Sequence, residues 1–362
     1  MIIFNIMKTQ RLQYIDALKG VAILLVVLGH SLQNFDPDLE WLPSRAIYAF
    51  HMPLFMFVSG FVSWKMYKWA SVKKRAVQLL IPFFFFAVLS WVIKSWGEWS
   101  ADGFLSYTSK VIIQPDLGLW FLWALFFISI LFVASRKAAL VISKWLKTRE
   151  LFTEICVVAV VAGLLNIIEI RTGLKTFGYH WIAWYFIFFS FGAYWRQIDA
   201  LLSRKAQWRM LFASLIIFIP CAISIRMHNQ APLFYRWVNL GSLGIVAFRL
   251  FVGAVGCILC YLLLKTLEAK THIYSVLAKI GGVTLGIYFL LFFFINLYRE
   301  ITPGWSEWIE VPLCFIFTLA CTLPLIFIFK RFGITRLLCL GLPFKPRRPE
   351  QTMALEKEAS VS

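Results

Sequence analysis

Two ionisable residues stand at opposite ends of one apolar stretch, LKGVAILLVVLGHS at residues 18–31. Lys19 and His30 are eleven residues apart, which in an α-helix places them on one face, about 16 Å apart along the axis. Asp16 lies one turn before Lys19 and can pair with it. Ionisable side chains inside apolar helices are rare and usually face a cavity. A lysine there suits a phosphate, and a neutral imidazole suits removal of a proton from a hydroxyl.

A second histidine and a basic cluster follow in the next two apolar runs. In FHMPLFMFVSGF, at residues 50–61, His51 precedes Pro53, which deprives a helix of a backbone donor and bends it. The run after that begins with the basic residues KKR at 73–75. Most such charges set orientation in any membrane protein. Arg75 could also help to bind a phosphorylated head group.

These residues predict a donor whose anionic head rests on Lys19 and Arg75 and whose reactive end reaches His30. Each has an ordinary alternative. Lys19 could extend its ammonium to the membrane surface as a topology signal. His30 could be a packed histidine near the head groups of the lipids. Function is nevertheless the default interpretation of His30, because it lies inside a span.

Other polar and aromatic residues are weaker candidates. Arg249 lies inside a later apolar run, where it needs a partner or a water-filled cavity, and it is a candidate for a cavity wall. Trp120 and Trp123 could contact a glycan or a lipid head, although anchoring at the membrane surface is the ordinary role of such residues. The remaining histidines fall in or near predicted loops and are expected to be solvated: His180, His228 and His272.

The composition is that of a membrane protein. Of the 362 residues, 60% are hydrophobic and 18% aromatic, well outside the range of soluble domains. We predict an all-α, polytopic membrane helix bundle of about ten transmembrane helices. The predicted spans lie near 12–34, 43–66, 76–96, 117–135, 151–169, 178–195, 210–227, 242–264, 276–298 and 308–330.

The net charge of +18 is explained by topology. With both termini in the cytoplasm, most Lys and Arg residues fall in inner segments, as the positive-inside rule requires, so no nucleic-acid partner is needed. The first residues lack the pattern of a cleaved signal peptide. We predict a transmembrane domain over residues 1–335 and a disordered cytoplasmic tail over 336–362. The seven cysteines lack the spacing of a disulfide framework or a metal site, and we interpret them as packing residues.

Common catalytic motifs are absent from the sequence: it has no Walker loop, dinucleotide fingerprint, HExxH or GxSxG. Its longest patterns instead resemble the acyltransferase 3 family of bacterial membrane acyltransferases, particularly the branch that O-acetylates surface sugars. The resemblance spans the ten predicted helices. It is carried by RLQYIDALKGVAILLVVLGH, FHMPLFMFVSGF, KKRAVQLLIP and LWFLWALFF, and more faintly by IGGVTLGIYFLLFFF, at 11–30, 50–61, 73–82, 119–127 and 280–294.

The resemblance implies that Lys19 holds the acyl donor and that His30 and His51 are catalytic. The family's basic residue and histidine, separated by ten positions, correspond to Lys19 and His30, with lysine in place of the commoner arginine. Its second-span histidine corresponds to His51. Its Arg-x-x-Arg before a proline corresponds to Arg75 and Gln78, so the second arginine is missing.

Neighbouring residues complete the implied site. Lys74 or Lys73 could supply the donor contact that the missing second arginine would make, and Asp16 would support Lys19. A histidine often follows the GIY pattern in the family, but Leu291 stands there in this chain.

The family resemblance implies a multi-pass enzyme of the bacterial inner membrane. It would move an acyl group, with acetyl the expected case, from cytoplasmic acyl-CoA to a hydroxyl of a cell-surface or lipid-linked glycan. Acetyl-CoA would act as co-substrate, and no permanently bound cofactor or metal is expected. The alternative is a transporter or flippase, although the paired, broken helices of two related halves are not visible. A non-catalytic sensor of membrane lipids also remains. The oligomeric state is open.

Overall fold

The computed structural model describes residues 13–38, 40–115, 119–226, 232–233, 241–266 and 272–344. Within these ranges the fold is all-α, as predicted, and contains no β-strand. The helices are α1 (Gln13–Phe35), α2 (Leu42–Phe61), α3 (Trp69–Lys94), α4 (Ala101–Ile113), α5 (Trp120–Leu146), α6 (Glu150–Thr172), α7 (Tyr179–Asp199), α8 (Arg204–Ser224), α9 (Gly241–Thr266), α10 (His272–Gly281), α11 (Thr284–Ile301), α12 (Glu307–Phe329) and α13 (Gly333–Leu340).

Ten of the described helices are long, and each overlaps one of the ten predicted spans. Eight are long and apolar enough to cross a membrane: α1, α3, α5, α6, α8, α9, α11 and α12. The other two, α2 and α7, pack against each other, and α2 is also covered by α1 and α9. A helix covered by other helices has little contact with lipid, so polar side chains on its surface can face the interior of the bundle.

Glycines allow the central helices to touch backbone to backbone. A side chain at Gly60 of α2 would meet the backbone of Phe189 in α7, and one at Gly192 of α7 would meet the backbone of Phe57. The contact of α1 with α10 is similar, since Gly20 of α1 lies against the Leu277 carbonyl. Small residues at such crossings let helices approach closely. The crossings hold α2 and α10 against their partners and so place the site residues that they carry.

The ninth predicted span, 276–298, is two helices. Helix α10 ends at Gly281, and α11 begins at Thr284. Two consecutive glycines weaken a helix at this point, and the Thr284 hydroxyl donates to the Gly281 carbonyl at 2.7 Å. A side chain at Gly281 would meet the Asp16 carbonyl. The break therefore lies directly beside the Lys19 turn of α1.

Two shorter helices fall where the sequence predicted loop or tail. Helix α4 occupies the predicted loop after the third span, and Ser100 caps it by accepting the Gly103 amide hydrogen at 3.0 Å. Helix α13 packs against α3 and crosses the predicted boundary between residues 335 and 336. The helical part of the chain therefore extends beyond that boundary. The rest of the predicted tail, from residue 345, lies outside the described residues.

A buried ion pair joins α5 to α6. Arg136 donates from Nε to Glu154 at 2.7 Å, and both side chains are almost fully buried. Arg136 also donates to the Trp64 carbonyl at 2.6 Å and to the Tyr67 hydroxyl in the segment after α2. The Tyr194 hydroxyl of α7 donates to Glu154 at 3.0 Å. This network holds the segment between α2 and α3 against α5, α6 and α7.

Candidate active site

Lys19 lies at the wall of a cavity of about 320 Å³, here called the Lys19 cavity. Its ammonium contacts Asp16 at 3.2 Å, which confirms the pairing predicted from their spacing. The cavity is formed by α1, α2, α3, α5 and the α10–α11 break, and α12 and α13 close it. Cationic side chains line it, namely Lys19, Arg75 and Lys330, and no carboxylate does so among the described residues. The amino end of α11 also lines it, and helix amino ends attract anions.

Arg75 is held in place by neutral oxygens. It donates to the Ser129 hydroxyl at 2.5 Å, to the Ser63 hydroxyl, and to the Ser59 carbonyl at 3.5 Å. Within the described part of the chain, no carboxylate forms an ion pair with it. The guanidinium is therefore ordered while its charge is not neutralised, which suits it to an anionic ligand.

The other predicted contacts on α3 differ in position. Gln78, which stands where the family pattern has a second arginine, lines the Lys19 cavity. Lys74 is exposed and is not part of the cavity wall. Of the basic residues that begin α3, the structure thus brings Arg75 alone to the Lys19 cavity.

His30 lies at a second, larger cavity of about 600 Å³, here called the His30 cavity. It is a groove between α3 and α11, bounded by α4 and the start of α5. The His30 ring packs on Phe292 of α11, with ring centroids 4.7 Å apart. Phenylalanines line the groove beside His30. Its polar lining consists of His30 itself, Ser90, Lys94, Tyr107, Asn296 and Glu300.

The two histidines are held through their Nδ1 atoms. His30 Nδ1 lies 3.1 Å from Gln33 Oε1 and 3.3 Å from the Tyr48 hydroxyl, which donates to the same Gln33 oxygen at 2.7 Å. His51 is buried, and its Nδ1 lies 2.9 Å from the Ile47 carbonyl. The Tyr48 ring packs on His51, with centroids 4.7 Å apart. His51 lines neither cavity.

A series of aromatic ring contacts, here called the aromatic wall, connects the linings of the two cavities. Phe121 lines the Lys19 cavity and packs on Tyr288 with ring centroids 5.5 Å apart. On the other side, Phe86 and Phe289 line the His30 cavity and stack at 5.2 Å. The sequence predicted one polar column from Lys19 to His30. In the structure, Lys19 lines one of the two cavities and His30 lines the other.

The weaker sequence candidates are mostly placed elsewhere. Arg249 donates to the Arg226 carbonyl at 2.6 Å and lines neither cavity. Trp123 is buried, and its indole N–H donates to the Phe177 carbonyl at 3.0 Å. Trp120 does line the His30 cavity, and it stacks on Trp181 with ring centroids 4.5 Å apart.

The histidines expected to be solvated have mixed positions. His272 is exposed at the start of α10, His180 is partly buried, and His228 lies outside the described residues. In the part of the chain that the structure describes, no cluster of His, Cys, Asp or Glu could hold a metal ion.

Sequence reasoning missed Gln33 and Tyr48. Gln33 follows His30 by three residues, so the helical period could have placed the two side chains together. Tyr48 comes from α2, and no local pattern in the sequence relates it to His30. The site is therefore larger than the motifs that pointed to it.

Comparisons with known proteins identify a family and two relatives. The family model described as "Acyltransferase domain", of the acyltransferase 3 type, matches residues 12–329. Two curated relatives are both called nodulation protein NolL. The one from Mesorhizobium japonicum is 38% identical over 124 residues, 31% of this chain and 32% of the relative. The one from Sinorhizobium fredii is 36% identical over 168 residues, 42% of each chain. The matches thus cover less than half of either relative, and no solved structure matches the chain.

Proposed function

The chain belongs to the acyltransferase 3 family, and on that premise we propose that it is a membrane O-acyltransferase, with acetyl as the expected acyl group. The donor is acyl-CoA. The acceptor is a hydroxyl of a cell-surface or lipid-linked glycan. No resident cofactor takes part in this reaction, since the coenzyme enters as a substrate and leaves as a product.

The donor binds at the Lys19 cavity. The phosphates of acyl-CoA need cationic partners, and Lys19 and Arg75 line this cavity without a carboxylate among the described lining residues. Asp16 supports the donor site by holding the Lys19 ammonium. Gln78 stands beside them as a neutral hydrogen-bonding group in place of a second guanidinium.

The acceptor binds at the His30 cavity. Sugars need hydrogen-bonding groups around their hydroxyls and often a flat apolar face against the ring. The cavity offers Asn296, Glu300 and Lys94 for the first and Trp120 for the second. Its volume of about 600 Å³ lies in the range of small-molecule sites.

The observation that carries the proposal is the state of His30. Its Nδ1 is occupied by Gln33 and Tyr48, no hydrogen bond to Nε2 occurs among the described residues, and the ring lines the larger cavity. Nε2 removes the proton from the acceptor hydroxyl as its oxygen attacks the thioester carbonyl. The C–S bond breaks, and the coenzyme thiolate takes the proton from the imidazolium. The products are the O-acyl ester and free coenzyme A.

The two cavities face opposite sides of a bacterial inner membrane in this proposal, with both termini and the Lys19 cavity towards the cytoplasm. The support is the distribution of Lys and Arg along the chain. Because the aromatic wall around Phe121 and Tyr288 connects the linings of the two cavities, these rings move aside for transfer to occur.

The test is His30→Ala in a strain that lacks the native gene. We expect membrane-inserted protein at normal abundance and a loss of glycan acylation on the order of 10²–10⁴-fold, the usual contribution of a general base. His272→Ala is the matched control, because His272 is exposed and lines neither cavity. Near-normal acylation by His30→Ala at equal abundance would refute the proposal. It would favour transport through the two cavities instead.

A further inference from the structure

Two side chains, Gln33 and Tyr48, meet at His30 Nδ1, and the Tyr48 hydroxyl lies 3.3 Å from that nitrogen. Gln33 contacts both of the other two side chains. Its Oε1 lies 3.1 Å from Nδ1 and accepts from the Tyr48 hydroxyl at 2.7 Å. Gln33 belongs to the last turns of α1 and Tyr48 to the first turns of α2. One amide oxygen therefore joins the two helices at the histidine.

The hydrogen atoms in this group can be assigned from donor and acceptor chemistry. An amide oxygen carries no hydrogen and can accept two bonds. The Tyr48 hydroxyl supplies one hydrogen to Gln33 Oε1, and His30 Nδ1 supplies the other. A neutral imidazole carries one proton only, so with Nδ1 protonated the lone pair is on Nε2. The nitrogen that the proposed reaction uses as a base is thus kept unprotonated by contacts at the opposite side of the ring.

The second histidine, His51, packs against the ring of Tyr48. His51 is 2% exposed, and its own Nδ1 lies 2.9 Å from the Ile47 carbonyl, one helical turn earlier. The ring of Tyr48 packs edge to face on His51 at 4.7 Å and on His30 at 6.2 Å. His51 lines neither cavity, so it can act on the reaction through Tyr48 without touching a substrate.

We infer that Gln33 and Tyr48 are positioning residues that hold His30 as its Nδ1–H tautomer, with Nε2 free for the acceptor hydroxyl, and that His51 supports Tyr48. The inference rests on the proposed role of His30 as general base. The arrangement corresponds in logic to the carboxylate that orients the histidine of a catalytic triad, with a neutral amide and a phenol in place of the charge.

The variants separate loss of the acceptor atom from loss of shape. Gln33→Met removes the oxygen at similar length, and Gln33→Glu keeps an acceptor oxygen at the same position. We expect Gln33→Met to lower kcat on the order of 10–100-fold, as misplacement of a reacting group does, with little change in KM for either substrate. Gln33→Glu should restore most of the kcat. Tyr48→Phe should lower kcat less, since it leaves the Gln33 oxygen in place.

Asn34→Ala is the matched control. Asn34 is the adjacent amide on α1, and its Nδ2 has no hydrogen-bond partner among the residues that the structure describes. Purified proteins at equal abundance are compared in an acyl-transfer assay with acetyl-CoA and a soluble glycan acceptor, with each substrate varied in turn. His30→Ala is measured in the same series.

The outcomes separate the inference from the function. If His30→Ala is inactive and Gln33→Met has normal kcat, the positioning role is wrong and the general base stands. If Gln33→Met is inactive and Gln33→Glu fails to recover, the amide acts as a donor or as a structural link, and the tautomer assignment is overturned. If His30→Ala keeps normal activity, the proposed function itself fails.

Discussion

Replacing Arg75 by glutamine tests the proposed donor site at a cationic side chain that is already held in position. The side chain is already held by Ser59, Ser63 and Ser129, so little side-chain entropy is lost when a phosphate binds. A hydrogen bond to a charged group contributes about 1.5–3 kcal/mol. At 1.36 kcal/mol for each factor of ten, this predicts that Arg75→Gln weakens acyl-CoA binding about 10- to 150-fold. The acceptor KM should stay close to that of the unchanged protein.

The measurement is the KM and the equilibrium affinity for acetyl-CoA in detergent or in proteoliposomes. Lys74→Gln is the control, because it removes the same charge one residue earlier, from an exposed side chain outside the cavity wall. Arg75 also links α3 to α2 and α5, so protein abundance is measured first. If Arg75→Gln is poorly produced, Arg75→Lys keeps the charge and should lose less donor affinity. Unchanged donor affinity in Arg75→Gln at full abundance would refute the donor site, as would an equal loss in Lys74→Gln.

Two further changes test the packing and the acceptor side. Gly192→Leu should sharply lower the abundance of folded protein on immunoblots and its Tm, because the side chain would collide with the backbone at Phe57. Gly163→Ala, where the space is open, should be tolerated. Equal abundance of the two variants would contradict the close crossing of α2 and α7. Trp120→Leu should raise the acceptor KM about tenfold if the indole contributes one stacking contact of about 1–1.5 kcal/mol, with acetyl-CoA KM unchanged. Trp96→Leu, at an indole that is 77% exposed, should leave both constants unchanged, and a matching rise there would remove Trp120 from the acceptor site.

Local periodicity was enough to predict much of the bundle. The long apolar runs located the ten long helices, because membrane thickness fixes their length. The same helical period predicted the Asp16–Lys19 pair, which the structure confirms. Charge counting, however, could not tell Arg75 from Lys74. They are neighbours in sequence, and the difference depends on which side of α3 faces the Ser129 hydroxyl of α5.

The remaining features depend on contacts between distant segments. The break after Gly281 falls at two consecutive glycines, but the close approach of this turn to the Asp16 carbonyl joins distant segments, and no local window of sequence reveals it. Hydropathy alone predicted a single span, 276–298, across this break. The aromatic wall between the cavities likewise joins Phe121 to Tyr288, and in the sequence each is one phenyl or phenol ring among many.

The contact between α2 and α7 has a consequence for how the chain is made. These are the two long helices in the described residues that fall short of the hydropathy of a membrane span, so each is a weak signal for lateral release into lipid by the insertion machinery. Helix α2 is synthesised early, whereas Gly192 of α7, which packs against its backbone, is synthesised much later. During biogenesis, α2 therefore packs on α1 without its α7 contact until about half of the chain has been synthesised. A nascent chain that stops before α7 leaves the α7-facing side of α2 uncovered. Premature termination should therefore yield a substrate for membrane proteolysis and not a partly working enzyme.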